Sequence, residues 1–143
     1  MAFETKRLLG FGDCDPAGIA FFPGYMRLLV SVTEEMFAAF GAPWPAMMRE
    51  RRIGVPTVKL DLDFAAPGFH GDELTFQVSL SKLGGSSADL RHRVATGDRL
   101  LWSARQVLVA TSLDSHRAVH WPDDIRAGLA AHLEMNDARD PAA

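Results

Sequence analysis

The segment Pro23-Gly24-Tyr25-Met26-Arg27-Leu28-Leu29-Val30-Ser31-Val32-Thr33-Glu34-Glu35-Met36-Phe37-Ala38-Ala39-Phe40 places Tyr25, Leu28, Leu29, Val32, Met36 and Phe40 at intervals of three and four. That is the period of a helix with one buried face. Pro23 suits the first helical position, where its missing N–H would be unbonded in any case, and Gly41 suits the residue just past the end. The spacing predicts one long helix over 23–40.

On its N-terminal side, Phe3 to Phe11 reads as a strand closing at Gly10-Phe11-Gly12. On the other side, Pro43-Trp44-Pro45 opens a shorter helix expected to end near Arg52, before a turn at Gly54-Val55-Pro56. The period then changes to two. Val58, Leu60, Leu62 and Phe64 alternate with Thr57, Lys59, Asp61 and Asp63, which predicts a strand with one core face and one wet face. Leu74, Phe76, Val78 and Leu80 repeat the pattern; Ala88 to Ala95 and Leu100 to Ser112 follow, divided by turns at Gly84-Gly85-Ser86-Ser87 and Gly97-Asp98. Turns this short favour antiparallel pairing. Near the end, Ile125, Leu129 and Leu133 share one face of a helix that could start at Pro122, and Asn136 to Ala143 read as a frayed tail. A sheet that is apolar on one face needs a cover, and the long helix is the only element of sufficient length to provide it. The expectation is an α+β, two-layer domain over residues 1–135 with a tail over 136–143.

At 143 residues, 48% apolar and 23% charged, the chain has the usage of a globular protein and room for one catalytic domain. A net charge of -3 offers no global positive field for a nucleic acid backbone. No run approaches the roughly 20 apolar residues of a membrane span, and the first nine residues do not form a signal peptide. The expected location is cytoplasmic. A single cysteine, Cys14, can form no internal disulfide and supplies no Cys-rich zinc site.

The chemistry-bearing segment joins the first strand to the long helix: Phe11-Gly12-Asp13-Cys14-Asp15-Pro16-Ala17-Gly18-Ile19-Ala20-Phe21-Phe22-Pro23-Gly24-Tyr25. Two carboxylates sit among Gly and Pro, one short loop ahead of a helix N-terminus whose N–H groups lack internal partners. Such an end can hold a developing oxyanion, and a nearby carboxylate can attack a carbonyl or deprotonate water. Aspartates beside Gly and Pro also serve ordinary turns, so the segment alone leaves both readings open. Asp13 and Asp15 as a divalent-cation site is the poorer alternative, because a hard cation wants six or more oxygens. Cys14 is expected to face away from whatever Asp15 faces, as an inert thiol.

The run Gly12 to Ile19, followed by the aromatic pair Phe21-Phe22, Pro23 and Tyr25, resembles the N-terminal motif of the Pseudomonas-type 4-hydroxybenzoyl-CoA thioesterases, a branch of the hot-dog superfamily. The similarity continues through Arg52-Ile53-Gly54-Val55-Pro56, the strand ending at Phe64, and Arg91-His92, to about Thr111. The resemblance implies a hot-dog fold, an antiparallel sheet wrapped around one long central helix. It implies that Asp15 is the catalytic carboxylate and that the backbone N–H of Phe22 polarises the thioester carbonyl, with no metal, triad or nicotinamide cofactor. Gly18, Phe21, Pro23 and Tyr25 are the expected acyl-side contacts of an acyl-CoA substrate. A related short-chain branch carries histidine where Phe22 stands. The basic cluster that meets the CoA phosphates in the family is replaced here by Leu83-Gly84-Gly85-Ser86, leaving Lys82 and the N–H groups of Gly84, Gly85 and Ser86 as the phosphate contacts, and an acyl carrier protein as an alternative thiol carrier. His92 reads as a structural histidine and His70 as an exposed one. The resemblance further implies pairing of an edge strand across a two-fold axis, with a homodimer as the minimal unit and a homotetramer expected. A non-catalytic acyl-CoA or lipid-binding module is the rival reading.

Overall fold

The computed structural model describes residues 1–134, so the C-terminal tail expected over 136–143 lies outside the described residues. The elements run β1 (Phe3–Leu8), α1 (Phe22–Ala39), α2 (Trp44–Glu50), β2 (Ile53–Gly54), β3 (Thr57–Phe64), β4 (Glu73–Leu83), β5 (Ser87–Thr96), β6 (Arg99–Val109), β7 (Thr111–Ser112) and α3 (Asp123–Ala130), with a 3-10 turn at Phe11–Asp13. Five strands form one antiparallel sheet in the order β1-β4-β5-β6-β3. The three central strands follow one another through turns too short for any other pairing. Gly97, at φ +56, makes the β5–β6 turn that Gly97-Asp98 predicts.

α1 buries Tyr25, Leu29, Val32, Met36 and Phe37 in the same cluster as Leu74, Phe76, Val78 and Leu80 of β4, Leu90 and Val94 of β5, and Trp102 and Leu108 of β6. This is the α+β hot-dog arrangement, one long helix lying across an antiparallel sheet. The helix starts one residue earlier than its sequence pattern predicts, with Phe21 at the N-cap and Pro23 second. Both positions tolerate a missing N–H, which is why the pattern cannot choose between them.

Three departures have physical causes. β3 has the expected bounds but not the expected core face: Val58, Leu60 and Phe64 are 60%, 36% and 56% exposed, and only Leu62 is half-buried. As the last strand of the sheet it is only partly covered, with Phe22 and Tyr25 of α1 reaching Phe64. The strand expected to continue to Ser112 breaks at Ala110, and Thr111–Ser112 pairs with Ile53–Gly54, where a turn was expected. The buried Ala110 is fastened there, its N–H donating to Ser86 O and its carbonyl accepting from Val119. Leu133 does not belong to α3. Because β1 pairs with β4 only as far as Val78, Leu80 is free to bond residues 132 and 134, and Leu133 forms an isolated parallel bridge to it, 41% exposed.

The core also contains polar groups. His92 on β5 is 2% exposed and its Nε2 lies 2.8 Å from Gln106 Oε1; Gln106 donates to Thr57 Oγ1 and accepts from Thr33 Oγ1. Burial drives the imidazole pKa down to about 4, against a smaller opposing effect of the Gln106 contact. The unfolded chain therefore takes up a proton that the folded chain refuses between about pH 6.5 and 4. Stability from this residue is fully present above that window and is lost as pH falls through it. Lowering pH from 7 to 5 is expected to cost about 2 kcal/mol through His92 alone. Urea unfolding of the wild type and of His92→Gln at the two pH values checks this; an equal pH dependence in both proteins would contradict it.

Candidate active site

Leu9, fully buried, anchors the end of β1, and the chain then coils through the 3-10 turn into a short loop. An antiparallel bridge between Cys14 and Ala20 closes that loop at its base. Inside it, Asp15 N–H donates to Ile19 O at 2.9 Å and Gly18 N–H to Asp15 O at 2.9 Å. Gly18 adopts φ +78, the left-handed conformation that a side chain would strain. The loop is fastened sideways to segment 68–70: Ala20 N–H donates to Gly68 O at 2.8 Å, His70 N–H to Gly18 O at 2.9 Å, and Ile19 bridges Phe69.

The Asp15 carboxylate is exposed on the single chain, and its Oδ1 accepts N–H groups from Ala17 at 2.9 Å and Ile19 at 3.3 Å. These bonds orient the side chain while Oδ2 has no protein partner among the described residues. The loop then returns to the helix, Phe21 N–H donating to Asp13 O at 2.8 Å. At the head of α1, Pro23 has no N–H and Gly24 N–H is taken by Phe21 O at 2.9 Å. Among the described residues, that leaves the N–H of Phe22 unpaired at the positive end of an 18-residue helix. One oriented carboxylate and one free amide thus flank the junction of loop and helix.

The other residues expected at the site are dispersed. Phe21, Phe22 and Pro23 are exposed, and the Phe22 ring meets Phe64 edge-on at 6.3 Å. Tyr25 is 4% exposed, stacked on Phe64 at 6.4 Å and tilted against Trp102 at 5.2 Å; burial and the nearby Asp72 raise its hydroxyl pKa. It forms wall, not surface. Asp13 acts as a turn carboxylate, its Oδ2 accepting Gly10 N–H at 3.3 Å. Lys82, Gly84, Gly85 and Ser86 lie at the far end of β4, whose eleven residues separate them from the Asp15 loop by roughly 30 Å. Within one chain the carboxylate and this turn are not brought together. The carbonyls of Gly84, Gly85 and Ser86 are occupied by Arg126, Trp121 and Ala110. His92 is buried in the core, and the partly buried Trp44 packs against it, edge-on to Phe37 at 5.8 Å. His70 is exposed, edge-on to Phe11.

Sequence reasoning missed segment 68–70, which carries the loop. Its only local signal is Gly68 after Pro67, a pair that marks a loop without saying what the loop touches.

Burial and then the charges of Asp13, Asp15 and Asp72 push the Cys14 thiol pKa above its ordinary 9.0, so at neutral pH it is a thiol and no nucleophile. Alkylation by iodoacetamide is expected to be slow at pH 7 and to accelerate only above pH 9; rapid labelling at pH 7 would contradict it.

Fold and kinship together define a hot-dog-fold thioesterase. The chain belongs to the thioesterase-like superfamily, whose family model matches residues 9–129. It is 34% identical over 132 residues to the 4-hydroxybenzoyl-CoA thioesterase of Pseudomonas sp. (strain CBS-3), covering 86% of this chain and 94% of the relative. It is 28% identical over 94 residues to a 1,4-dihydroxy-2-naphthoyl-CoA hydrolase of Trichodesmium erythraeum, covering 66% of this chain and 68% of that one. A 4-hydroxybenzoyl-CoA thioesterase solved with an aspartate-to-asparagine replacement and bound 4-hydroxybenzoyl-CoA superposes with a TM-score of 0.82 at 28% identity, over 90% of this chain and 98% of that one.

Proposed function

We propose that the protein hydrolyses the thioester of an aromatic acyl-CoA to the free acid and CoA, with Asp15 and the Phe22 N–H as the reacting pair. The observation that carries this is the one amide at the head of α1 left unpaired among the described residues, joined by one hydrogen-bonded loop to an oriented carboxylate. A thioester whose carbonyl oxygen accepts the Phe22 N–H has its carbon made electrophilic by that bond and by the helix dipole. Asp15 then attacks the carbon, the tetrahedral oxyanion rests on the same N–H, and the C–S bond breaks to release CoA thiolate. Water hydrolyses the resulting mixed anhydride and restores the carboxylate. The alternative route has Asp15 take a proton from water as the water attacks, and needs the same two groups. The acyl group would lie against the exposed rings of Phe21, Phe22 and Phe64.

The relatives named above act on aryl-CoA thioesters, which favours CoA over a carrier protein and an aromatic acyl group over a chain. Purified protein is expected to release thiol from benzoyl-CoA or 4-hydroxybenzoyl-CoA, and Asp15→Asn to lower kcat about 100-fold or more. Wild-type turnover in that variant would remove Asp15 from the chemistry. Tight binding of acyl-CoA without thiol release would instead make the protein a binding module.

We further propose that the working unit contains at least two copies, arranged as a homodimer or homotetramer in the cytoplasm. β3 ends the sheet with Val58, Leu60 and Phe64 exposed, an edge of the kind that proteins cover or pair. Antiparallel pairing of two β3 strands across a two-fold axis sets Phe64 of one copy near Thr57 of the other. That brings the Gly84-Gly85-Ser86 end of one subunit toward the Asp15 end of its neighbour, so Lys82 and the amides of Gly85 and Ser86 would meet CoA phosphates there, whereas the Gly84 N–H is already donated to Ser87 O at 2.8 Å. Light scattering is expected to give a dimeric or tetrameric mass, and Leu60→Asp to lower both the mass and the turnover. A monomeric, fully active wild type would overturn this arrangement.

A further inference from the structure

Two close approaches that only glycine permits hold the Asp15 loop between its neighbours. A Cβ on Gly24 would stand 2.9 Å from Asp13 Cα and 3.0 Å from Asp13 Cβ and O. Two of those atoms are backbone, so no side-chain rotation relieves the clash. Gly24 sits within α1 and has no positive φ, so helix propensity would favour alanine there; contact with the loop is what excludes it. On the other flank, a Cβ on the buried Gly68 would collide with Tyr25 Oη, with Leu9 Cδ2 and Leu101 Cδ1 next at 3.3 Å. Gly68 also supplies the carbonyl that receives Ala20 N–H. The Tyr25 hydroxyl is fully buried and makes no well-formed hydrogen bond among the described residues, the Gly68 backbone offering it only a weak one. A buried hydroxyl in that condition costs stability that phenylalanine would not.

Gly24 and Tyr25 are consecutive, so one turn of α1 touches the loop directly on one side and, through the phenol, its anchoring segment on the other. We propose that Gly24, Gly68 and the Tyr25 hydroxyl are positioning residues that set where the Asp15 carboxylate stands relative to the Phe22 N–H. The inference rests on the reading of Asp15 and Phe22 as the reacting pair. The phenol acts as a spacer, and its oxygen determines how closely segment 68–70, and the loop fastened to it, approaches the helix.

The test compares Gly24→Ala, Gly68→Ala, Tyr25→Phe, and each glycine variant combined with Tyr25→Phe. Turnover of benzoyl-CoA is measured together with exchange protection of the Ala17 and Ile19 amides, which donate to Asp15. Each glycine variant is expected to lower kcat about tenfold or more while KM moves less than about threefold, because misplacing a reacting group by about 1 Å has costs of that order. Both amides should lose protection. Adding Tyr25→Phe should restore most of the kcat and the protection to Gly68→Ala, since it removes the colliding oxygen, and should leave Gly24→Ala unrelieved. Wild-type kcat and protection in Gly68→Ala, or no recovery in its double variant, would overturn the proposal. Should Gly68→Ala fail to fold, the double variant is expected to fold, and its failure as well would count against the spacer role. If wild-type protein releases no thiol from any acyl-CoA, the hydrolase reading fails, and the Ala17 and Ile19 amides judge the clamp on their own.

Discussion

Burial of one face of α1 against the central strands is the interaction on which the rest of the structure depends. Leu29, Val32, Met36 and Phe37 lose essentially all contact with water in the same cluster as Phe76, Leu90 and Trp102, and apolar burial of this kind is the dominant favourable term in folding. It also has a geometric consequence. Once the middle of the helix is locked to β4, β5 and β6, its head can stand in only one place, and the unpaired Phe22 amide stands there with it.

The loop bearing Asp15 contributes little apolar area and is held by hydrogen bonds and close backbone contact instead. Its bonds run to segment 68–70 on one side and to the start of α1 on the other. Asp15 accepts N–H groups from its own loop, so the carboxylate is oriented before any substrate arrives. In the proposed reaction, pre-orientation matters because the rate would depend on the placement of one carboxylate and one amide.

The remaining polar features divide between structure and surface. The chain His92, Gln106, Thr33 and Thr57 threads the core and ties the middle of α1 to the first residue of β3. On the outer surface of the sheet, Asp89 is gripped by Arg105 and held below the usual carboxylate range despite its burial. Neither group faces the junction of loop and helix, so these charges belong to the sheet and not to the chemistry.

Periodicity located α1, β3 and β4, because a buried stripe must repeat with the pitch of its own element, and the glycine turns bracketed β5 and most of β6. The segment around Asp15 stands out as a helix start preceded by acidic residues among Gly and Pro, but that pattern fits an ordinary turn equally well, and only the family resemblance pointed to Asp15 as the reacting carboxylate. What local pattern could not carry were distances between residues remote in the chain. β3 reads as half-buried from its alternation, yet its place at the end of the sheet leaves it exposed. Gly24 and Gly68 look like a helix residue and a turn residue until the fold sets one against Asp13 and the other against the Tyr25 hydroxyl. Lys82 and the Gly84-Gly85 turn belong with Asp15 only by family resemblance, and the length of β4 separates them within one chain. Repeating patterns of burial are written residue by residue, whereas close approach between distant segments exists only after the helix and sheet have packed.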